Sequence, residues 1–135
     1  MTELEQLGQV VLARQPFSRH LGAELVAFER GRAVLSLEVK PEFLQQHGFV
    51  HGGILSYLID NAITFAGGSV LGENVVTVEF KVNYTRPARG QKLVATATVE
   101  GAGGRLAVCR CEVTAADEGQ ESVCAIGQGT IALLN

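Results

Sequence analysis

A basic excess, a membrane-length apolar run, an even set of cysteines and a cluster of metal ligands are all missing from this sequence, and each absence removes a class of function. Lys and Arg total 11 against 14 Asp and Glu, for a formal net charge of -3 and a pI near 5.6. A protein that wraps nucleic acid needs a basic face to neutralise phosphates, so no nucleic-acid partner is expected. No uninterrupted apolar run approaches the roughly 20 residues that span a bilayer. The opening Met1-Thr2-Glu3-Leu4-Glu5 also lacks a basic stretch followed by an apolar one, the pattern of a secretory signal. The expectation is a cytoplasmic chain with no membrane partner.

Three cysteines are an odd number for a disulfide framework. Cys109 and Cys111 alternate within an apolar run that reads as strand, so they share one sheet face. With only Cys124 besides, and no nearby histidine, no tetrahedral metal site assembles. Buried reduced thiols are expected, with no metal and no cofactor. Internal repeats, low-complexity tracts and linkers are absent too. A chain of 135 residues buries a core of its own without disulfides or metal, so residues 1–135 read as one domain. Its 47% hydrophobic and 19% charged residues lie on the apolar side for such a domain, and the surplus predicts a covered subunit interface.

The periodicities that are present order the chain. Leu4, Leu7, Val11 and Leu12 fall near helical spacing between Thr2 and Ala13, predicting a short amphipathic helix ending before Pro16. Leu21–Phe28 and Ala33–Val39 flank Glu29-Arg30-Gly31-Arg32 and read as a hairpin ended by Pro41. A loop over Glu42–Val50 leads into Gly52-Gly53 and an apolar helix to Ala66, which Gly67-Gly68 is expected to end. Ile54, Leu55, Leu58, Ile59, Ala62, Ile63 and Ala66 share its broad apolar face. Gly53, Tyr57, Asp60 and Thr64 form its narrow polar stripe. From Val75 the period becomes two, placing Val76, Val78, Phe80, Val82 and Tyr84 on one face of a strand and Thr77, Glu79, Lys81 and Asn83 on the other. After the connection Arg86–Gly90, the segments Leu93–Glu100, Leu106–Thr114 and Ser122–Leu133 read as further strands. Helix, two strands, long buried helix, four strands is an α+β order, met by an antiparallel sheet wrapped around one central helix.

Asp60 stands out within that helix, because a carboxylate among apolar residues loses solvation unless it is paired or used. Capping a neighbouring backbone group is the plainer alternative to a role as general base. Gly52-Gly53 lets backbone N–H groups approach a ligand at the positive end of the helix dipole, where a developing oxyanion fits. The same glycines also suit a tight turn. Two helical turns, roughly 10 Å, separate Gly53 from Asp60, so one small acyl group cannot touch both. Two chains with antiparallel helices bring Asp60 of one toward Gly52 of the other, which implies a site at a dimer interface.

Gln45-Gln46-His47-Gly48-Phe49-Val50-His51-Gly52-Gly53, Asp60-Asn61-Ala62, Val76-Thr77-Val78 and Asn83-Tyr84-Thr85-Arg86-Pro87-Ala88 together resemble the hot-dog-fold thioesterase superfamily, in particular its phenylacetate-degradation (PaaI-like) branch. The resemblance implies a hot-dog fold that forms homodimers and commonly homotetramers and takes an acyl-CoA thioester as substrate. It implies that the Gly52 N–H binds the thioester carbonyl while Asp60 of the opposing subunit activates water or attacks the carbonyl itself. Many members of the branch carry asparagine where Gln45 stands, and the amide donor is retained in related 4-hydroxybenzoyl-CoA thioesterases with glutamine there. Thr77 matches a position that helps hold the attacking water. Thr64, one turn beyond Asp60, is placed either to hydrogen-bond its carboxylate or to bond back to its own helix. His51 fits a brace at the helix start better than the proton-transfer histidine of a hot-dog dehydratase. Arg86, Arg89, Lys92 and Arg105, in two connections, are candidates for the CoA phosphates. A non-catalytic acyl-CoA-binding module and a hydratase or dehydratase are the alternatives. Aryl and medium-chain acyl groups both remain open, with Phe49, Tyr57 and Phe80 as candidate pocket walls.

Overall fold

The computed structural model describes residues 1–135. In chain order the elements are helices α1 (Glu3–Ala13) and α2 (Pro16–Leu21), strands β1 (Glu24–Glu29) and β2 (Arg32–Glu38), helix α3 (Gly52–Leu71), and strands β3 (Val75–Tyr84), β4 (Lys92–Ala102), β5 (Leu106–Asp117) and β6 (Gln120–Leu133). All strand pairs are antiparallel, in the order β1-β2-β4-β5-β6-β3. The sheet curls so that α3 packs against every strand. Leu58, Ile59 and Ile63 of α3 meet Leu35, Leu37, Leu93, Val113 and Ile131 of the sheet in a fully buried core.

Three expectations are corrected. The helix does not stop at Gly67-Gly68 but runs to Leu71 and ends at Gly72, whose φ of 130° lies in the region that favours glycine. Gly67 serves packing instead: a Cβ there would lie 2.8 Å from the Cβ of Ile131, so a bare backbone lets α3 sit close on β6. Leu21 does not open a strand. It closes the short helix α2, Gly22 turns with φ 85°, and β1 begins at Glu24. Finally, the alternation along β3 breaks. The pairing with β6 runs Thr77 to Ile131 and then Glu79 to Thr130, leaving Val78 unmatched in a bulge. An extra residue reverses the faces, so Val76 and Val78 are exposed while Val75 and Thr77 turn inward with Phe80 and Val82.

By length and composition α3 would suffice to cross a bilayer. No single apolar run within it is that long, because Ser56, Asp60, Asn61 and Thr64 interrupt it. Cys109, Cys111 and Cys124 are free and buried. Burial is the first cause that raises their thiols from 9.0, to about 11, 12 and 11 respectively.

Candidate active site

Asp60 is half-buried near the middle of α3, on the side that meets β3. The bulge at Val78 aims Thr77 at it, and the Thr77 hydroxyl donates to Asp60 Oδ1 at 2.5 Å. Thr64 Oγ1 lies 2.7 Å from the Asp60 carbonyl oxygen and 2.9 Å from Thr77 Oγ1. These contacts share two hydroxyl protons. Thr77 spends its proton on the carboxylate, so Thr64 donates to the Asp60 carbonyl or to Thr77. Thr64 therefore supports the carboxylate through Thr77, and of its two possible partners the helix carbonyl and not the carboxylate lies within reach. Asp60 Oδ2 makes no hydrogen bond within the chain, and the sole ion pair is Arg32 with Glu29 at 3.4 Å.

The start of α3 is built by a loop tied to the connection after β3. His51 N–H donates to the Phe43 carbonyl and Val50 N–H to the Ala88 carbonyl, each at 2.8 Å. His51 is the N-cap: its Nδ1 accepts from the Gly53 N–H at 2.9 Å. In the neutral ring that leaves the proton on Nε2. The Gly53 N–H is thereby occupied, whereas the Gly52 N–H has no acceptor within the chain. Tyr84 and Ser56, which the sequence did not single out as site residues, complete this end. The Tyr84 hydroxyl donates to the Gly52 carbonyl at 3.0 Å and accepts from Ser56 Oγ at 2.7 Å. A Cβ on Gly52 would lie 3.0 Å from the Tyr84 ring carbon Cζ. Tyr84 belongs to one of the family-like segments, but its contact with the start of α3 depends on where β3 meets the helix in space.

Gln45 is half-buried in the loop before the helix. Its Oε1 accepts from the His47 N–H at 2.6 Å and the Phe49 N–H at 3.3 Å, leaving the amide nitrogen unpaired within the chain. The Arg89 guanidinium lies 4.8 Å from the centre of the Phe49 ring, and Arg86 is exposed. Both belong to the Gly52 end of the sheet. Arg105 does not join them. It sits in the β4–β5 turn, where its guanidinium donates to Asn135 Oδ1 at 2.7 Å. That turn lies at the opposite sheet end, roughly 30 Å away by strand rise. Antiparallel pairing of β4 with β5 puts their turn opposite the Arg86–Gly90 connection.

A second polar cluster joins α2 to α3. Gln15 Oε1 accepts from Ser18 Oγ at 2.5 Å and from Asn61 Nδ2 at 2.9 Å, and the Tyr57 hydroxyl lies 2.5 Å from Ser18 Oγ. Since Ser18 donates to Gln15, Tyr57 donates to Ser18. Burial pushes the Tyr57 phenol above its ordinary value, opposed by the bonds to Ser18 and Asn61. Its ring packs edge-on against Phe17 at 5.3 Å.

Sheet and central helix define the hot-dog architecture, and a held carboxylate at mid-helix with a free N–H at the helix start suits the hydrolysis of an activated acyl group. The thioesterase superfamily model matches residues 47–122, from the loop before α3 into β6. This chain belongs to the thioesterase superfamily and is by class a thioester hydrolase. Its fold matches a thioesterase family protein from Silicibacter pomeroyi at 35% identity and a TM-score of 0.93, covering 97% of this chain and 98% of that one. A variant of the phenylacetic acid degradation protein PaaI from Thermus thermophilus is 30% identical with a TM-score of 0.78, covering 89% and 100%. In sequence, the medium/long-chain acyl-CoA thioesterase YigI of Salmonella typhimurium is 26% identical over 132 residues, 85% of each chain.

Proposed function

We propose that residues 1–135 act as one cytoplasmic unit that hydrolyses an acyl-CoA to the free acid and CoA at a site shared by two copies of the chain. The observation that carries this reading is the Thr77 hydrogen bond to Asp60 Oδ1, which fixes the carboxylate and leaves Oδ2 free. Eight residues separate Gly52 from Asp60, about 12 Å along the helix, too far for one thioester carbonyl to touch both. Two-fold pairing with antiparallel α3 helices sets Asp60 of one copy opposite Gly52 of the other. The homodimer is then the minimal unit, and two dimers form a homotetramer.

In this arrangement the thioester oxygen accepts from the Gly52 N–H at the positive end of α3, assisted by the Gln45 amide. Asp60 removes a proton from water as its oxygen attacks the carbonyl carbon. The tetrahedral intermediate then expels the CoA thiolate, which takes that proton back. Alternatively Oδ2 attacks the carbonyl carbon directly and expels the CoA thiolate, giving an acyl-aspartyl anhydride. Water then cleaves it at the aspartyl carbonyl, returning Asp60 and the free acid, and the thiolate takes up the proton released. A single turnover in heavy-oxygen water separates the routes, because only the second places label in Asp60. His51 and Gly53 shape the helix start, and Arg86 and Arg89 flank it as the candidates for the CoA phosphates. The two-fold operation returns Arg105 of one copy toward the Gly52 end of the other.

Asp60→Asn tests the reading. It keeps the volume and removes the basicity, so kcat in a thiol-release assay falls by about 10²–10⁴ while product affinity changes little. Wild-type kcat in that variant refutes the mechanism. A wild-type protein that binds acyl-CoA but turns over no thioester favours the binding-module alternative, and hydration of an enoyl thioester favours the hydratase.

A further inference from the structure

Beside Asp60 lies a cavity of about 470 Å³ between α1, β1 and the C-terminal half of α3. This volume is within the roughly 300–1,000 Å³ of small-molecule sites. Its floor is α3 from Asn61 to Leu71, about 15 Å of helix from end to end, so it is a groove and not a round pocket. Leu4, Leu7 and Val11 of α1 face it, opposite Phe28, Phe65 and Leu71. These α1 side chains are half-buried and packed toward the groove, because Gly8 brings the helix against β1. A Cβ on Gly8 would lie 2.6 Å from side-chain atoms of Leu25 and Phe28. One end of the groove reaches the catalytic cluster: Thr64 is a wall residue, and its hydroxyl lies within hydrogen-bond distance of both the Asp60 carbonyl and Thr77. The other end opens between the exposed side chains of Arg30 and Glu73.

We propose that this groove holds the acyl chain of the substrate and that the substrate is a straight aliphatic acyl thioester, with α1 setting the chain length. The inference rests on the hydrolase reading above and extends it. An aromatic acyl group fits the shape poorly, since one ring fills only part of a groove this long. The available aromatic faces are also engaged with each other, Phe28 and Phe65 packing edge-on with centroids 5.4 Å apart. The bond from Asn61 to Gln15, just past the end of α1, fixes the direction. It places Val11 over the Thr64 end, Leu7 in the middle and Leu4 over the open end.

The order of these residues makes the test graded. Each buried methylene is worth roughly fourfold in kcat/KM, so preference rises along acetyl-, hexanoyl-, octanoyl- and decanoyl-CoA in the wild-type protein. Leu4→Trp cuts only the longest chain. Leu7→Trp lowers the decanoyl-to-acetyl ratio of kcat/KM by tenfold or more, and Val11→Trp shortens the optimum further. Unreactive S-alkyl-CoA thioethers, measured by calorimetry, give the same ranking without turnover, so the groove is tested even if no thioester is hydrolysed. An unchanged ranking in all three variants overturns the proposal, as does a wild-type preference for benzoyl- or phenylacetyl-CoA over every alkyl chain. Absence of turnover with chain-dependent thioether binding overturns the hydrolase reading and leaves the groove assignment standing.

Discussion

Replacing Gly67 with alanine sets two well-defined effects against each other. Alanine is the better helix former by about 0.8–1.0 kcal/mol in a helix interior, so without tertiary contacts the variant gains stability. The new Cβ, however, falls 2.8, 2.9 and 3.0 Å from Cβ, Cγ1 and Cγ2 of Ile131, against roughly 3.5–4.0 Å for a relaxed carbon contact. Ile131 cannot yield easily, being fully buried, β-branched at its Cβ and paired on both sides by β3 and β5. Overpacking of this kind costs about 1–3 kcal/mol, and three simultaneous contacts place it in the upper part of that range. The balance is a net loss of about 1–2 kcal/mol, or about 4–8 °C in Tm for a chain of this size. Urea or thermal melts followed by circular dichroism measure it. A second substitution on β6 isolates the cause: Ile131→Ala removes the offended Cγ atoms and makes the pair less destabilised than the sum of the two single changes, whereas Ile131→Val retains both Cγ atoms and gives no such rescue. A Gly67→Ala protein as stable as wild type, or more so, refutes the close-packing argument.

Thr77→Val keeps the shape of the side chain and removes the donor to Asp60 Oδ1; kcat is expected to fall by about 10- to 100-fold, the scale of one net hydrogen bond to a charged group, with KM little changed. A wild-type kcat removes Thr77 from the site. Because the three cysteine thiols are raised above 9.0 in the folded chain, the unfolded state ionises first. Stability is thus full below about pH 8.5 and is lost as pH rises toward about 12. Urea midpoints measured across that window check the sign, and Cys111→Ala flattens the slope. Light scattering at assay concentration is expected to report a dimer or a multiple of it, and an active monomer contradicts the shared site.

Much of this fold was legible because it rests on periodicity. The 3.6-residue pattern of α3 and the alternation of Leu93–Glu100 and Leu106–Thr114 match burial in β4 and β5. Where the reading failed, a tertiary contact overrode a local rule. Gly67-Gly68 carries the local signature of a helix end, but the approach of Ile131 is a long-range fact. The bulge at Val78 depends on the register against β6, about fifty residues further along the chain, and it reversed the expected face of Val76 and Val78. Asp60 was visible as a charge out of place, and Gly52 as a helix start. Of the two partners open to Thr64 the structure selects the carbonyl four residues earlier, as a helical threonine commonly does. Tyr57 stood on the polar stripe of α3 and Asn61 and Tyr84 within the family-like segments, but their partners Gln15, Ser18 and Ser56 meet them only in space and had no sequence signal beyond residue type.

The strand order also has a consequence for the time at which the active site comes into being. β3 follows α3 directly in the chain, yet its one hydrogen-bonded neighbour is β6, the last strand to be made. While the ribosome is still adding β4 and β5, the segment Val75–Tyr84 has no ladder to join, and Thr77 has nothing to hold it beside Asp60. The carboxylate gains its partner only when residues 120–133 leave the exit tunnel and close the sheet, a contact of long sequence separation and hence a late one. Nascent chains stalled before Gln120 thus carry the helix, its glycine start and its aspartate, but not the assembled site.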